Sequence, residues 1–279
     1  MTKEDFKNYF ELLPRQAWLA EKEEQMISLI SSCKYKSQKK LLFELLEDFR
    51  YVDYKLFMRY LEDIADYIIN ESGFDIDNTQ IVGMVMDSNP DSSQWILQFL
   101  KPILTKKGWN NVKITTEFHR AVRKLNKEGL TNLILIDEFI GTGQSVDGRL
   151  DYLEKKANEE YVINAIFLSG MEDGINNVKT RFNDFRCLIP LKKGISDKYD
   201  SPEKEEAIKQ MLELENQLLP VINKKKLTDY SFGFGKAEAL YSSYGNAPNS
   251  LFPFFWWPYD VKETLRNSLL IRNEEGLGL

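Results

Sequence analysis

Two cysteines, one histidine and nine prolines in 279 residues are scarcities that each close a class of explanation. Cys33 and Cys187 stand far apart, with no CxxC pair and no Cys/His cluster, which argues against a disulfide framework and a structural zinc site. Both read as buried free thiols. No apolar run approaches the roughly 20 residues of a membrane span, and the aromatic run from Leu251 to Trp257 is short and broken by Pro253. The first ten residues carry Lys3, Glu4, Asp5 and Lys7 and no apolar leader core, so the expected location is cytoplasmic, with no membrane partner. The dinucleotide pattern GxGxxG and the Walker pattern GxxxxGK[ST] are both missing.

What is present is the composition of a globular protein, 43% hydrophobic and 29% charged, so disorder is not expected to dominate. A net charge of −6 argues against a surface that attracts nucleic acid everywhere, while leaving room for a local basic patch. The length allows one large core or two modest ones. We read residues 1–74 as an N-terminal helical extension, 75–199 as an α/β core, and 200–279 as a helical insertion and C-terminal hood of the same domain.

Between Phe6 and Ser72 apolar residues recur three and four apart, among them Leu41, Leu42, Leu45, Leu46, Leu56, Ile64 and Ile68, which is a helical period. The period then changes. Short apolar runs at 81–86, 112–116, 133–136, 161–168 and 185–189 read as strands. The first three are followed by helical patterns at 95–104, 118–126 and 145–156. Continuous apolar strands alternating with helices predict a mainly parallel sheet covered on both faces, an α/β fold. Residues 200–226 read as a charged helix with a narrow apolar stripe, ending in the Lys224-Lys225-Lys226 run of a solvated turn.

The third strand carries the chemistry. Leu133-Ile134-Leu135-Ile136 ends in two adjacent acids, Asp137 and Glu138, and the small-residue turn Gly141-Thr142-Gly143-Gln144-Ser145 leads into a helix. Ligands of open parallel sheets sit outside the carboxyl ends of the strands. Glycines let backbone N–H groups approach an anion, and a helix N-terminus adds unsatisfied donors. The turn is suited to a phosphate, and the acids to ribose hydroxyls or a divalent metal.

These residues resemble the signature of the type I phosphoribosyltransferases: an apolar strand, two acids, three variable residues, Thr-Gly, one variable residue, then Ser or Thr. Asp137, Glu138, Thr142, Gly143 and Ser145 fill every fixed position. The resemblance implies that Asp137 and Glu138 hold the ribose hydroxyls of phosphoribosyl pyrophosphate at the catalytic centre. It also implies that Ile140, Gly141, Thr142, Gly143, Gln144 and Ser145 hold the 5-phosphate. Mg2+ is the implied cofactor, held through the ligand with Asp137 and Glu138 as possible contacts. Substitution at the anomeric carbon would pass through an oxocarbenium-like state, with the protein supplying position and electrostatics.

Other family elements are altered. The pyrophosphate loop would be Asp87, Ser88, Asn89, Pro90, Asp91, Ser92 and Ser93, which has no glycine and no Lys or Arg. Ser92 and Ser93 serve there either as ligand contacts or as caps of the next helix. The flexible catalytic loop would fall at Thr115 to Lys124, where Arg120, Arg123 and Lys124 are either ligand cations or one solvated helix face. His119 is open to a structural or a functional reading.

Further on, a hood for the acceptor base is implied around Asn246, Asn249, Trp256 and Trp257, where aromatic faces would stack on a base. For Phe254 and Phe255 a plain core cluster is the favoured reading. The helical extension and aromatic tail look like the branch of this family encoded in bacterial conflict and antiphage systems, retron-associated ones included. That likeness implies an effector acting on nucleotides or nucleic acid, or held by a protein partner. Two functions are therefore carried forward, transfer of phosphoribose and a non-catalytic module that keeps only the 5-phosphate pocket.

Overall fold

In the computed structural model residues 2–86, 92–244 and 246–272 are described. Along the chain lie α1 (Lys3–Leu12), α2 (Glu23–Ser31), α3 (Lys36–Glu47), β1 (Arg50–Val52) and α4 (Tyr54–Asp66). Next come β2 (Thr79–Val85), α5 (Ser92–Lys106), β3 (Lys113–Glu117), α6 (Phe118–Glu128), β4 (Asn132–Ile140), α7 (Gln144–Lys156), β5 (Val162–Met171), α8 (Glu172–Val178) and β6 (Asp184–Leu191). The chain continues with α9 (Glu203–Glu215), β7 (Val221–Ile222), β8 (Lys225–Lys226) and β9 (Tyr241–Ser243). Two compact units result, one of residues 55–191 and one of residues 1–54 with 192–279. These boundaries lie elsewhere than those read from the sequence near 74 and 199, because α4 joins the sheet unit and the chain after β6 returns to the N-terminal helices.

The unit of residues 55–191 is the α/β core. Its five strands run in the order β3-β2-β4-β5-β6, and every pairing is parallel. The continuous apolar strands have this cause: successive side chains point to opposite faces, and both faces are covered. Val82, Met84, Leu133, Leu135, Ala165 and Phe167 pack with Val122 and Leu125 of α6, Val146 and Leu150 of α7 and Val178 of α8. Ile134, Ile136 and Ile166 alternate with them and are buried on the opposite face. Helix α5 packs on β2, β3 and β4, and Phe57 of α4 meets Phe99 of α5 edge-on at 6.0 Å. Each such side chain taken from water contributes roughly 1.5–3 kcal/mol. The Tyr67 hydroxyl ties the end of the α4 segment to β6 by donating to Asp184 Oδ2 at 2.8 Å.

The unit of residues 1–54 and 192–279 is helical and aromatic. Leu41, Leu42, Leu45 and Leu46 of α3 share a core with Met211 and Leu214 of α9 and with Phe252, Phe254, Phe255, Trp256 and Trp257. Trp256 and Trp257 are 1% and 0% exposed. Their indole N–H groups donate to the carbonyls of Leu251 (3.1 Å) and Leu219 (2.9 Å), as buried indoles require. Strand β1 pairs in parallel with β9, joining Arg50 to Tyr241 and Val52 to Ser243.

Candidate functional site

Strand β4 does not stop at the acids. Its ladder with β5 runs on through Asp137↔Phe167 and Phe139↔Ser169 to Ile140↔Gly170, so both carboxylates sit on regular strand at the carboxyl end of the sheet. Asp137 is 8% exposed and Glu138 half-buried. Asp137 Oδ1 accepts the Ser92 hydroxyl at 3.0 Å and the Glu138 backbone N–H at 2.7 Å. These two bonds fix the carboxylate in direction.

Beyond Ile140 the chain turns through Gly141, Thr142 and Gly143 into α7. Gly143 has φ +86°, a left-handed conformation that glycine adopts without strain, and it is the residue that precedes the helix. Having no side chain, it places no cap on the first turn of α7, whose N–H groups lack partners within the helix. Gln144 and Ser145 are exposed there. This is the geometry that receives an anion at a helix N-terminus. Ile140, grouped with the phosphate contacts by resemblance, is buried in the core, so only its main chain borders the turn.

The turn is held from outside by residues that the sequence reading passed over. A Cβ on Gly174 of α8 would lie 2.0 Å from the Gly141 carbonyl oxygen, so only glycine allows the two backbones to approach. Asn177 Nδ2 donates to the Thr142 carbonyl at 3.1 Å. A Cβ on Gly170 would lie 2.2 Å from the Ile140 Cγ2 atom. Arg181 donates to Asp147, Asp151 and Glu154, offsetting part of the negative charge on that face of α7.

The remaining residues named from the sequence separate. Ser92 reaches Asp137, whereas Ser93 is fully buried and its hydroxyl accepts the Met84 N–H at 3.0 Å, a structural bond. Asp87, Ser88 and Asn89 lie outside the described residues. No loop separates β3 from α6: Glu117 ends the strand and Phe118 opens the helix. Arg120 Nε meets Glu117 at 2.9 Å and His119 Nε2 meets the same oxygen at 3.1 Å. Lys124 donates to the Thr115 hydroxyl at 3.1 Å, and Arg123 is exposed on α6. Trp256 and Trp257 offer no face to a base, because the core covers them. Asn246 and Asn249 bond through their backbone carbonyls, Asn246 to Ser242 Oγ and Asn249 to the Phe234 N–H.

Among the described residues no group of three or more His, Cys, Asp or Glu is placed to hold a metal ion. Two adjacent carboxylates, Asp137 and Glu138, suit a hard cation that completes its shell with ligand oxygens and water. No helix of the described residues is long and apolar enough to cross a membrane.

No curated protein matches the chain. Among solved structures it is similar to xanthine-guanine-hypoxanthine phosphoribosyltransferase of Helicobacter pylori, at 12% identity over 51% of this chain and 89% of that one, with a TM-score of 0.32. It is similar to a Neisseria gonorrhoeae protein with bound ppGpp at 11% identity, over 58% and 96% of the two chains, with a TM-score of 0.36. Orotate phosphoribosyltransferase of Aeropyrum pernix gives 14% identity over 47% and 69%, with a TM-score of 0.29. The model of the PRTase-CE family matches residues 16–266, and the chain belongs to that family.

Proposed function

We propose that this protein binds a 5-phosphorylated ribose, as phosphoribosyl pyrophosphate or a nucleotide. The observation that carries the reading is the junction of Asp137 and Glu138 with the glycine turn that opens α7. Two carboxylates suit the ribose hydroxyls, and the helix N-terminus suits the phosphate. Mg2+ would be held mainly by ligand oxygens, with Asp137 and Glu138 as its protein neighbours. Its charge would offset the repulsion between those acids and the ligand.

Binding is favoured over transfer by one observation. Arg120 and His119 are engaged with Glu117 at the start of α6, so neither is placed to follow a reacting sugar. The resemblance to the antiphage and retron-associated branch extends the reading to a cytoplasmic defence effector, regulated by a protein or nucleic-acid partner.

Titration calorimetry with phosphoribosyl pyrophosphate and Mg2+ tests the site. The Asp137→Asn/Glu138→Gln variant should lose at least about tenfold in affinity, roughly 1.4 kcal/mol. Wild-type protein that binds no phosphoribosyl ligand sinks the reading. Release of pyrophosphate on long incubation would replace binding with transfer.

A further inference from the structure

Charge is unevenly spread over the sheet unit. One face of α7 carries Asp147, Asp151 and Glu154, whereas residues 118–127 of α6 contain no Asp or Glu and carry His119, Arg120, Arg123, Lys124 and Lys127. Phe118, Ala121, Val122 and Leu125 bury the inner side of α6 against β2 and β3. Arg120, Arg123 and Lys127 are exposed, and the helical repeat brings them within about 60° of one another around the axis. Arg120 shares Glu117 with His119, and Lys124 turns to the Thr115 hydroxyl. Among the described residues no carboxylate lies within ion-pair distance of Arg123 or Lys127.

This arrangement works against the helix itself. Arg120 with Lys124 and Arg123 with Lys127 are like charges four residues apart, which repel across one turn. His119 and Arg120 stand in the first turn, where the helix dipole opposes a cation. Acids stand only at the two ends, Glu117 before the helix and Glu128 as its last residue. At the far end Asn126 Nδ2 donates to the Lys156 carbonyl at 2.8 Å, so the exposed Lys155 and Lys156 that end α7 lie beside the Lys127 end of the row. From Arg120 to Lys127 the axis rises about 10.5 Å, a length over which one strand of a duplex presents about three phosphates. A row of cations on a convex, acid-free face fits an extended phosphate backbone better than a compact ligand. In a chain of net charge −6 it is a local basic patch on which a polyanion can settle.

We propose that the outer face of α6 binds the phosphate backbone of a nucleic-acid duplex through Arg120, Arg123 and Lys127, without regard to base sequence. It does not depend on the ribose 5-phosphate reading of the turn. The probe is a fluorescein-labelled DNA duplex of mixed sequence, about 20 base pairs long, titrated with the full chain and followed by fluorescence anisotropy at several salt concentrations. Wild type should bind with a log–log salt slope of about −2.7, the value for three phosphates. Arg123→Gln/Lys127→Gln should lose at least about tenfold in affinity and reduce the slope by about two. Each single change should reduce it by about one and stands in if the double variant does not fold. The double variant should unfold at no lower temperature than wild type, because the repulsive pairs are removed. Lys224→Gln/Lys226→Gln takes the same charge from an exposed turn of the other unit and should keep both affinity and slope. Equal loss in the two double variants would trace the attraction to net charge and overturn the proposal, as would an α6 variant that binds like wild type. Wild type that binds no duplex at low salt overturns it, and poly-glutamate bound as tightly as the duplex overturns it in favour of an acidic protein.

Discussion

In the helical and aromatic unit, polar groups close the unit on itself, whereas in the sheet unit they support a turn that opens a helix on a glycine. Glu215 is buried and accepts the Ser231 hydroxyl at 2.6 Å and the Phe232 N–H at 3.0 Å. Glu238 accepts the N–H groups of Ile195 and Ser196. Arg266 donates to the carbonyls of Trp257 and Phe254 and lies over the Phe254 ring, and burial pushes its guanidinium down to about 10. Around Asp137 and the turn, by contrast, Ser92 holds the carboxylate while Gly174 and Asn177 hold the backbone of the turn. A buried polar residue next to aromatics is thus a poor sign of a binding site here. A supported backbone turn that opens a helix on a glycine is a better one.

The sharpest way to break this comparison is Trp256→Ala. Loss of a fully buried indole should cost about 3–5 kcal/mol in denaturant unfolding. The folded protein should keep its ligand affinity. A variant that stays as stable as wild type but no longer binds ligand would reverse the roles of the two units.

A smaller effect is expected from pH. Burial holds the Glu215 carboxyl up at about 7, against 4.5 for the ordinary group. Between these values the folded state binds more protons than the unfolded one. The stabilisation is therefore complete below about 4.5 and is lost as pH rises through about 7, on the order of 3 kcal/mol in all. Glu215→Gln should flatten this dependence, as followed by chemical denaturation at several pH values. A wild-type stability with the same pH dependence as Glu215→Gln between pH 5 and 8 would refute the account.

Gly174→Ala should displace the turn and cost about 1–3 kcal/mol of stability, because the new Cβ meets backbone. Helix propensity alone favours alanine by about 1 kcal/mol. The 2.0 Å approach to the Gly141 carbonyl requires that something move, and we expect about a tenfold loss of ribose 5-phosphate affinity. Unchanged affinity would mean that α8 does not set the turn.

Much of the sheet unit was legible because its strands are buried on both faces. The apolar runs at 81–86, 112–116, 133–136, 161–168 and 185–189 fall on β2 to β6, and the helical patterns at 95–104, 118–126 and 145–156 on α5, α6 and α7. The end of β4 was less visible, since the polar Asp137 and Glu138 interrupt the apolar run while the ladder continues. Helix α8 is short and polar and contains Gly174, so periodicity does not mark it. β1 and β9 have three residues each and pair across most of the chain, which leaves no local pattern.

The close approach of α8 to the turn bears on how such a site can be moved or redesigned. Thirteen residues from Leu133 to Ser145 contain the whole recognisable pattern, yet their backbone path is set by Gly170, Gly174 and Asn177 on the following strand and helix. A transplant of the thirteen alone onto another parallel sheet would carry the letters without the mould. The smallest portable unit reaches from β4 through α8.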